Sequence, residues 1–290
     1  MENPMKKILG FLLVSVLAAA SDAPPLTFKF QPFNVPGALE SSAFGVNDAG
    51  VAVGYYVDQN KVMHGYIVQG RVLTTVDDPN GRDTFCNNVN DLTDFSVVGQ
   101  YTNISGSPVG FVYKDGQFTD VPGPAGATGS SAVSINMAGD IVGYYLDSAA
   151  VAHGYLLRGG TYTTLDVPGA LFTVATGIND HGTIVLYWLD AGTFIESSVY
   201  NGQSYTAINV PGAVNSYAYD LDNSGDVLYR WMDSGQHNHG ALRQGGQYYK
   251  FDVPKSTFTF PAGINDRQLI VGGYRAAQNG AIQGFKAIYQ

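Results

Sequence analysis

The chain is poor in cysteine, in charge and in anything that reads as helix, and each shortage excludes a class of protein. Cys86 is the only cysteine, so no internal disulfide can form, and an exported chain must draw its stability from packing. Charged residues make up 13% of the 290, with 15 Lys and Arg against 24 acidic residues and a formal net charge of −9. A surface of that sign disfavours nucleic acid and anionic lipid. Long solvated helices need more charge, whereas 36 glycines and 12% aromatics suit short strands and tight turns. Catalytic signatures are missing too: there is no Gly-x-Ser-x-Gly, no paired Cys/His signature and no phosphate-cradling glycine loop ahead of a helix.

What the chain does have is repetition. Pro36, Pro79, Pro122, Pro168, Pro211 and Pro254 follow one another at intervals of 43, 43, 46, 43 and 43 residues, and four of them sit in Asn/Asp-Val-Pro-Gly. A fixed period with one composition throughout points to a single domain built from copies that share their core.

Aligned on one another, the copies show four strand-like pieces, here called A to D: A as in Phe172 to Asn179, B as in Val51 to Tyr56, C as in His64 to Val68 and D as in Tyr162 to Val167. Asn-Asp-x-Gly separates A from B (Asn47 to Gly50, Asn179 to Gly182), and pairs such as Asp115-Gly116 or Gly159-Gly160 separate C from D, so both connections predict tight hairpins. Each copy is then a four-stranded antiparallel meander, with units near 37–79, 80–122, 123–168, 169–211, 212–254 and 255–290. The last unit lacks a D piece, and residues 26–36 supply an orphan one. Pairing the two ends closes a ring, so the expected fold of residues 21–290 is an all-β six-bladed β-propeller. Strand A is expected to line the axis, because crowding there would explain its small position: Ala43, Cys86, Ala132, Ala175, Ala218 and Pro261.

Residues 1–20 read as an export signal. Lys6 and Lys7 precede an apolar run from Ile8 to Ala20 that is too short to span a bilayer, and Ala18 to Ala20 offer small residues for cleavage. Its removal takes the charge from −9 to −10, through Lys6, Lys7 and Glu2. The expected product is a monomer, secreted or periplasmic, without membrane insertion.

The recurring Asn-Val-Pro-Gly-Ala, Gly-Ile-Asn-Asp-x-Gly, Ile-Val-Gly-Tyr-Tyr-x-Asp and His-Gly-Tyr elements resemble the HAF family of extracellular repeat proteins of bacteria, over residues 28 to 290. The resemblance implies export and a repeat architecture. It brings no activity and no catalytic residues.

Function is expected on the face that carries the longer B-to-C and D-to-A connections. There each unit places an aromatic residue at the end of B: Tyr56, Tyr101, Tyr145, Trp188, Trp231 and Tyr274. Two positions on, four units have Asp58, Asp147, Asp190 and Asp233, and a fifth has Asn103. Aromatic faces beside carboxylates suit sugar, whose C–H face stacks and whose hydroxyls donate. The plainer reading is that the aromatics fill the seams between sheets. Phe85 and Tyr217 stand toward the open mouth, and His237 lies off-register in a B-to-C loop beside Asp233. His64, His153 and His239 recur on strand C and read as structural hydrogen-bonding residues.

Nothing demands a cofactor, but Asp220 with Asn88 and Ser134 would offer oxygen ligands to calcium in a central channel. The run Asp220 to Asp226 resembles a calcium loop, yet Asp222 to Gly225 occupies the hairpin positions of Asn179 to Gly182 and reads as an ordinary turn. These observations favour a non-catalytic binding or scaffold module for an extracellular glycan or protein. The alternative is a calcium-dependent hydrolase or lactonase with its site at the axis.

Overall fold

The computed structural model describes residues 26–290, so the export signal expected at 1–20 lies outside the described residues. Twenty-four strands, numbered β1 to β24 in chain order, form six antiparallel sheets of four strands each, with no helix among the described residues and hence none long and apolar enough to cross a membrane. Blade 1 is β2 (Glu40–Val46), β3 (Ala52–Val57), β4 (Met63–Gln69) and β5 (Val72–Val76). Blades 2 to 5 repeat that order over 81–121, 129–164, 172–207 and 215–251.

Blade 6 takes β22 (Phe258–Ile264), β23 (Leu269–Arg275) and β24 (Gln283–Tyr289) from the C-terminal end and β1 (Phe28–Pro32) from the N-terminal end. Phe28 lies opposite Tyr289 and Pro32 opposite Phe285. Phe28 and Phe30 also reach blade 5, with ring centroids 4.4 and 6.0 Å from that of Phe251. The ring is therefore closed by strand pairing between the two ends of the domain.

A single sheet cannot hide both faces, so the apolar residues gather in six clusters, one at each seam between neighbouring blades. The seam geometry explains two recurring residues. A Cβ added to Gly65 on β4 would come within 2.7 Å of the Val76 carbonyl and 2.9 Å of the Cys86 sulfur, the latter on the inner strand of blade 2. Glycine on strand C and a small residue on the next inner strand thus fit each other. Blade 4 has Ser197 in place of that glycine; its hydroxyl donates to Ser216 O and accepts from Ala218 N on the next inner strand, each at 2.8 Å.

This corrects one expectation from the sequence. Ala43, Cys86, Ala132, Ala175 and Ala218 are fully buried and small because they pack in seams. The axis is lined instead by the following residue, which is extruded by a β-bulge in every inner strand: Phe44, Asn87, Val133, Thr176, Tyr219 and Ala262. Together with Asn88 and Phe260 they enclose a largely apolar axial cavity of about 150 Å³.

A polar ring fastens the blades at the A-to-B hairpins. Each hairpin asparagine caps its own turn, as Asn179 Oδ1 does for the amides of His181 and Thr183, and donates its Nδ2 to a carbonyl of the next blade. The donations run Asn47 to Asn90 O (3.0 Å), Asn90 to Asn136 O (3.5 Å), Asn136 to Asn179 O (3.2 Å), Asn179 to Asp222 O (3.1 Å) and Asn265 to Asn47 O (2.9 Å). The one gap is Asp222, whose ionised carboxylate has no proton to give to Asn265 O.

Asn179→Ala is expected to lower the unfolding free energy by about 2–3 kcal/mol, since it orphans buried backbone groups on two blades. Asp222→Asn should raise it by about 1 kcal/mol by completing the ring. Urea denaturation followed by tryptophan fluorescence measures both, and equal stability of the two variants would exclude this role for the ring.

Candidate functional site

The six strand-B aromatics do not form one site. Tyr101 and Trp231 are buried in seam clusters, and Tyr145, Trp188 and Tyr274 pack against others. Tyr56, Tyr145 and Trp231 each stack on the strand-C histidine of their own blade, at 5.0, 5.2 and 4.6 Å between ring centroids. Lys250 Nζ stands 3.9 Å from the Trp231 ring centroid, so much of that indole is already covered. The polar edges are also engaged: Tyr101 with Asp120, Trp188 with Ser198 and Tyr274 with Gln283.

The carboxylates that follow the aromatics close the B-to-C loops. Asp58 accepts the amides of Asn60 and Val62, Asp147 those of Ala149 and Val151, Asp190 that of Phe194 and Asp233 that of His237, while Asn103 does the same for Ser105 and Ser107. Those amides hold Asp58, Asp147 and Asp233 below the usual aspartate range.

Each strand-C histidine sits between that loop carboxylate and the aspartate ending strand D. His153 Nδ1 is 2.8 Å from Asp166 and its Nε2 is 3.4 Å from Asp147, and the Asp166 bond is the main cause of its raised pKa. His64 pairs likewise with Asp77, and His239 with Asp252. Where strand D ends in asparagine instead, the strand-C partner changes with it: Asn209 donates to Glu196, and Asn34 faces the unit that carries Gln283. The histidines are thus tied to the fold.

Around the axis a chain of rings runs Phe85, Tyr55, Phe44, Phe260, Tyr219, Tyr187 and Tyr217, with neighbouring centroids 4.9 to 6.2 Å apart. Phe85 and Tyr217 therefore share one aromatic lining. The Arg230 guanidinium lies over it, 4.0 Å from the Tyr217 centroid.

Asp220, Asn88 and Ser134 border the other mouth, at the A-to-B hairpins, in a constriction of about 50 Å³. Both Asp220 oxygens already accept amides, from Leu221 at 3.0 Å and Ile264 at 3.2 Å, and the Ser134 hydroxyl accepts from Ile178. Burial pushes the Asp220 carboxyl up to about 8. Calcium wants six to eight free, charged or carbonyl oxygens, and this set does not fit it. Among the described residues no group of three His, Cys, Asp or Glu side chains is placed to hold a metal.

His237 lies elsewhere, in the wall of a cavity of about 550 Å³ between blades 5 and 6 on the long-loop face. That volume is in the range of small-ligand sites. Phe258 gives it an apolar wall, and Asn238, His239, Asp252, Ser256, Thr257, Arg275, Gln278 and Asn279 give it polar groups. Arg275 and Phe258 are opposed across β22 and β23, with the guanidinium 5.1 Å from the ring centroid. Apart from His237 and the recurring His239, the repeat pattern does not single out this wall. Arg275 carries the signal that was available: Val57, Leu146, Leu189 and Met232 hold its position in four other blades.

No family model matches this sequence, and no curated protein matches it. Solved structures do. A fungal lectin, Aleuria aurantia lectin, reported as a six-bladed β-propeller with a novel fucose recognition mode, aligns over 88% of this chain and 93% of its own at 14% identity and TM-score 0.54. The SapL1 lectin in complex with α-methyl fucoside aligns over 87% and 95% at 10% identity and TM-score 0.55. A catalytically inactive virginiamycin B lyase from Staphylococcus aureus, solved with quinupristin, aligns over 90% and 99% at 12% identity and TM-score 0.52. These likenesses show the β-propeller fold, and the six blades of this chain match the number reported for the Aleuria aurantia lectin.

The buried carboxyls set an unusual pH dependence. Asp220 and Asp222, at about 8 and about 6 against 3.8 unfolded, bind protons more tightly in the native state. Their stabilisation is full below about pH 4 and is lost as pH rises to 8; His153 loses its own contribution in the same direction, above its ordinary 6.5. The lowered Asp58, Asp147 and Asp233 act oppositely, losing theirs as pH falls below 3.8. Thermal melts should therefore peak at about pH 4–5 and decline toward pH 8, with Asp220→Asn flattening the slope between about pH 4 and 8. A melting temperature that climbs from pH 5 to pH 9 would contradict this assignment.

Proposed function

We propose that this chain is an exported, non-catalytic binding module for carbohydrate, and that the sugar sits in the cavity between blades 5 and 6. The cavity itself carries the reading. It combines one half-buried aromatic wall, Phe258, with amides, hydroxyls and imidazoles at a volume suited to one or two sugar rings. Stacking on the ring and hydrogen bonds to the hydroxyls are the two contacts a pyranose needs. The fucose recognition reported for one lectin neighbour and the α-methyl fucoside bound by another agree with such a role for the fold, and the charge pattern of residues 6–20 agrees with export.

The hydrolase alternative has less support. Asp220 is buried with both oxygens occupied, and Glu196 is held by Asn209 out on strand C.

A glycan array followed by calorimetry tests the proposal. The full chain should retain at least one class of glycan, and Phe258→Ala and His237→Ala should each weaken binding about tenfold or more while leaving the melting temperature within a few degrees. A chain that binds no glycan, or that turns over a lactone or ester until chelator is added, would refute it.

A further inference from the structure

The cavity between blades 5 and 6 has an electrostatic feature that a neutral sugar does not use. Arg275 stands in its wall, its Nε is buried without a hydrogen-bond partner, and among the described residues its guanidinium comes within 4.0 Å of no carboxylate. The nearby acids are committed elsewhere. Asp252 is bonded to His239, and Glu40 accepts from the Tyr55 hydroxyl and the Ile282 amide. Arg158, by contrast, has an aspartate 2.7 Å away. In a chain of net charge −9, an unneutralised guanidinium in the wall of a cavity of about 550 Å³ on the long-loop face is an arrangement that needs a counter-charge.

Arg230 shows that the fold has another way to keep an arginine. Its Nε is also without a partner, but its guanidinium is spread over Tyr217, Tyr219 and Phe260, at 4.0, 5.7 and 5.8 Å. Cation–π contacts of that kind offset the missing anion. Arg275 has one ring, Phe258, at 5.1 Å, and open space beyond it.

We infer that the ligand of this pocket is an anionic saccharide, whose carboxylate or sulfate pairs with Arg275 while a sugar face lies on Phe258. The inference rests on the carbohydrate-binding reading above and adds the charge of the ligand. Guanidinium suits both anions, because its planar fork donates two parallel hydrogen bonds to either. His237 and His239 flank the same space and can donate to an anion or a hydroxyl.

Calorimetry with the full chain decides the matter, using three probes: a uronate oligosaccharide, its carboxyl-reduced neutral counterpart and a sulfated oligosaccharide. The expected result is a preference of about tenfold or more for one or both acidic probes over the neutral one, shrinking as salt is raised from 50 to 500 mM. The size of the two acidic affinities identifies which anion is meant. Arg275→Gln should abolish the preference, bringing the acidic probes down to the affinity that the same variant has for the neutral one, and Arg275→Lys should restore only part of it. Arg71→Gln, which removes the same charge at a distant, exposed position, should keep the preference. Equal affinity of the native chain for acidic and neutral probes, or a preference that survives in Arg275→Gln, overturns the inference and leaves a neutral-sugar pocket. Should the glutamine variant fail to fold, salt-independent binding of the acidic probes to the native chain overturns it equally. Failure of all three probes, with an empty glycan array, removes the carbohydrate reading itself.

Discussion

Each sheet of this ring has two apolar faces and only its neighbours to cover them. That constraint reaches down to single residues. The inner strand of one blade comes so close to strand C of the blade before it that Gly65 has no room for a Cβ, and its neighbour across the seam, Cys86, must be small. Buried hydroxyls tighten the same seam: Ser41, Thr84, Thr173, Ser216 and Thr259 each accept the amide of Val35, Asp78, Val167, Val210 or Val253, at the end of the preceding strand D. The proline that sets the sequence period follows each of those five residues directly. What first reads as a spacing of prolines is thus the repeat of a seam.

Charge at the A-to-B end obeys the same constraint. Asp91, Asp180, Asp266 and Asp48 accept amides of Asp48, Met137, Asn223 and Asp266 on adjoining blades, so a cluster that looks like a cation site works as a second fastening ring outside the asparagines. Burial and mutual repulsion raise Asp48 and Asp91 as a result. The fold uses acids here as acceptors, and their negative charge is a cost of that use.

The architecture was readable because it depends on periodic features: hairpin glycines, alternating apolar residues and a D piece present at one end and missing at the other. The bulge was not readable. Counting alternate residues assigns Ala43 and Gly45 to one face, and only the bulge, in which they pair with the consecutive Gly54 and Val53 and leave Phe44 without a partner, turns Phe44 toward the axis. The site was legible in smaller part, for a related reason. Superposing the copies picks out what recurs, and recurrence in a ring of like blades reports what every blade needs, as the His153 to Asp166 pair does. A pocket made by two particular blades is written in departures. His237 is legible because it breaks register. Arg275 escaped because its neighbour Tyr274 kept to the pattern.

The cavity beside Arg275 has a further consequence, for valency. Its arginine and its phenylalanine occur together on opposed strands in blade 6, whereas blade 1 sets Glu40 against Val57 and blade 3 sets Gly129 against Leu146. Six blades therefore do not make six equivalent docking points. A propeller that repeats its pocket can cross-link chains and gather them into a network, but one that holds a single pocket takes hold of one strand at one place. On the proposed reading of that cavity, clustering would come from several copies of the protein arrayed along one polymer.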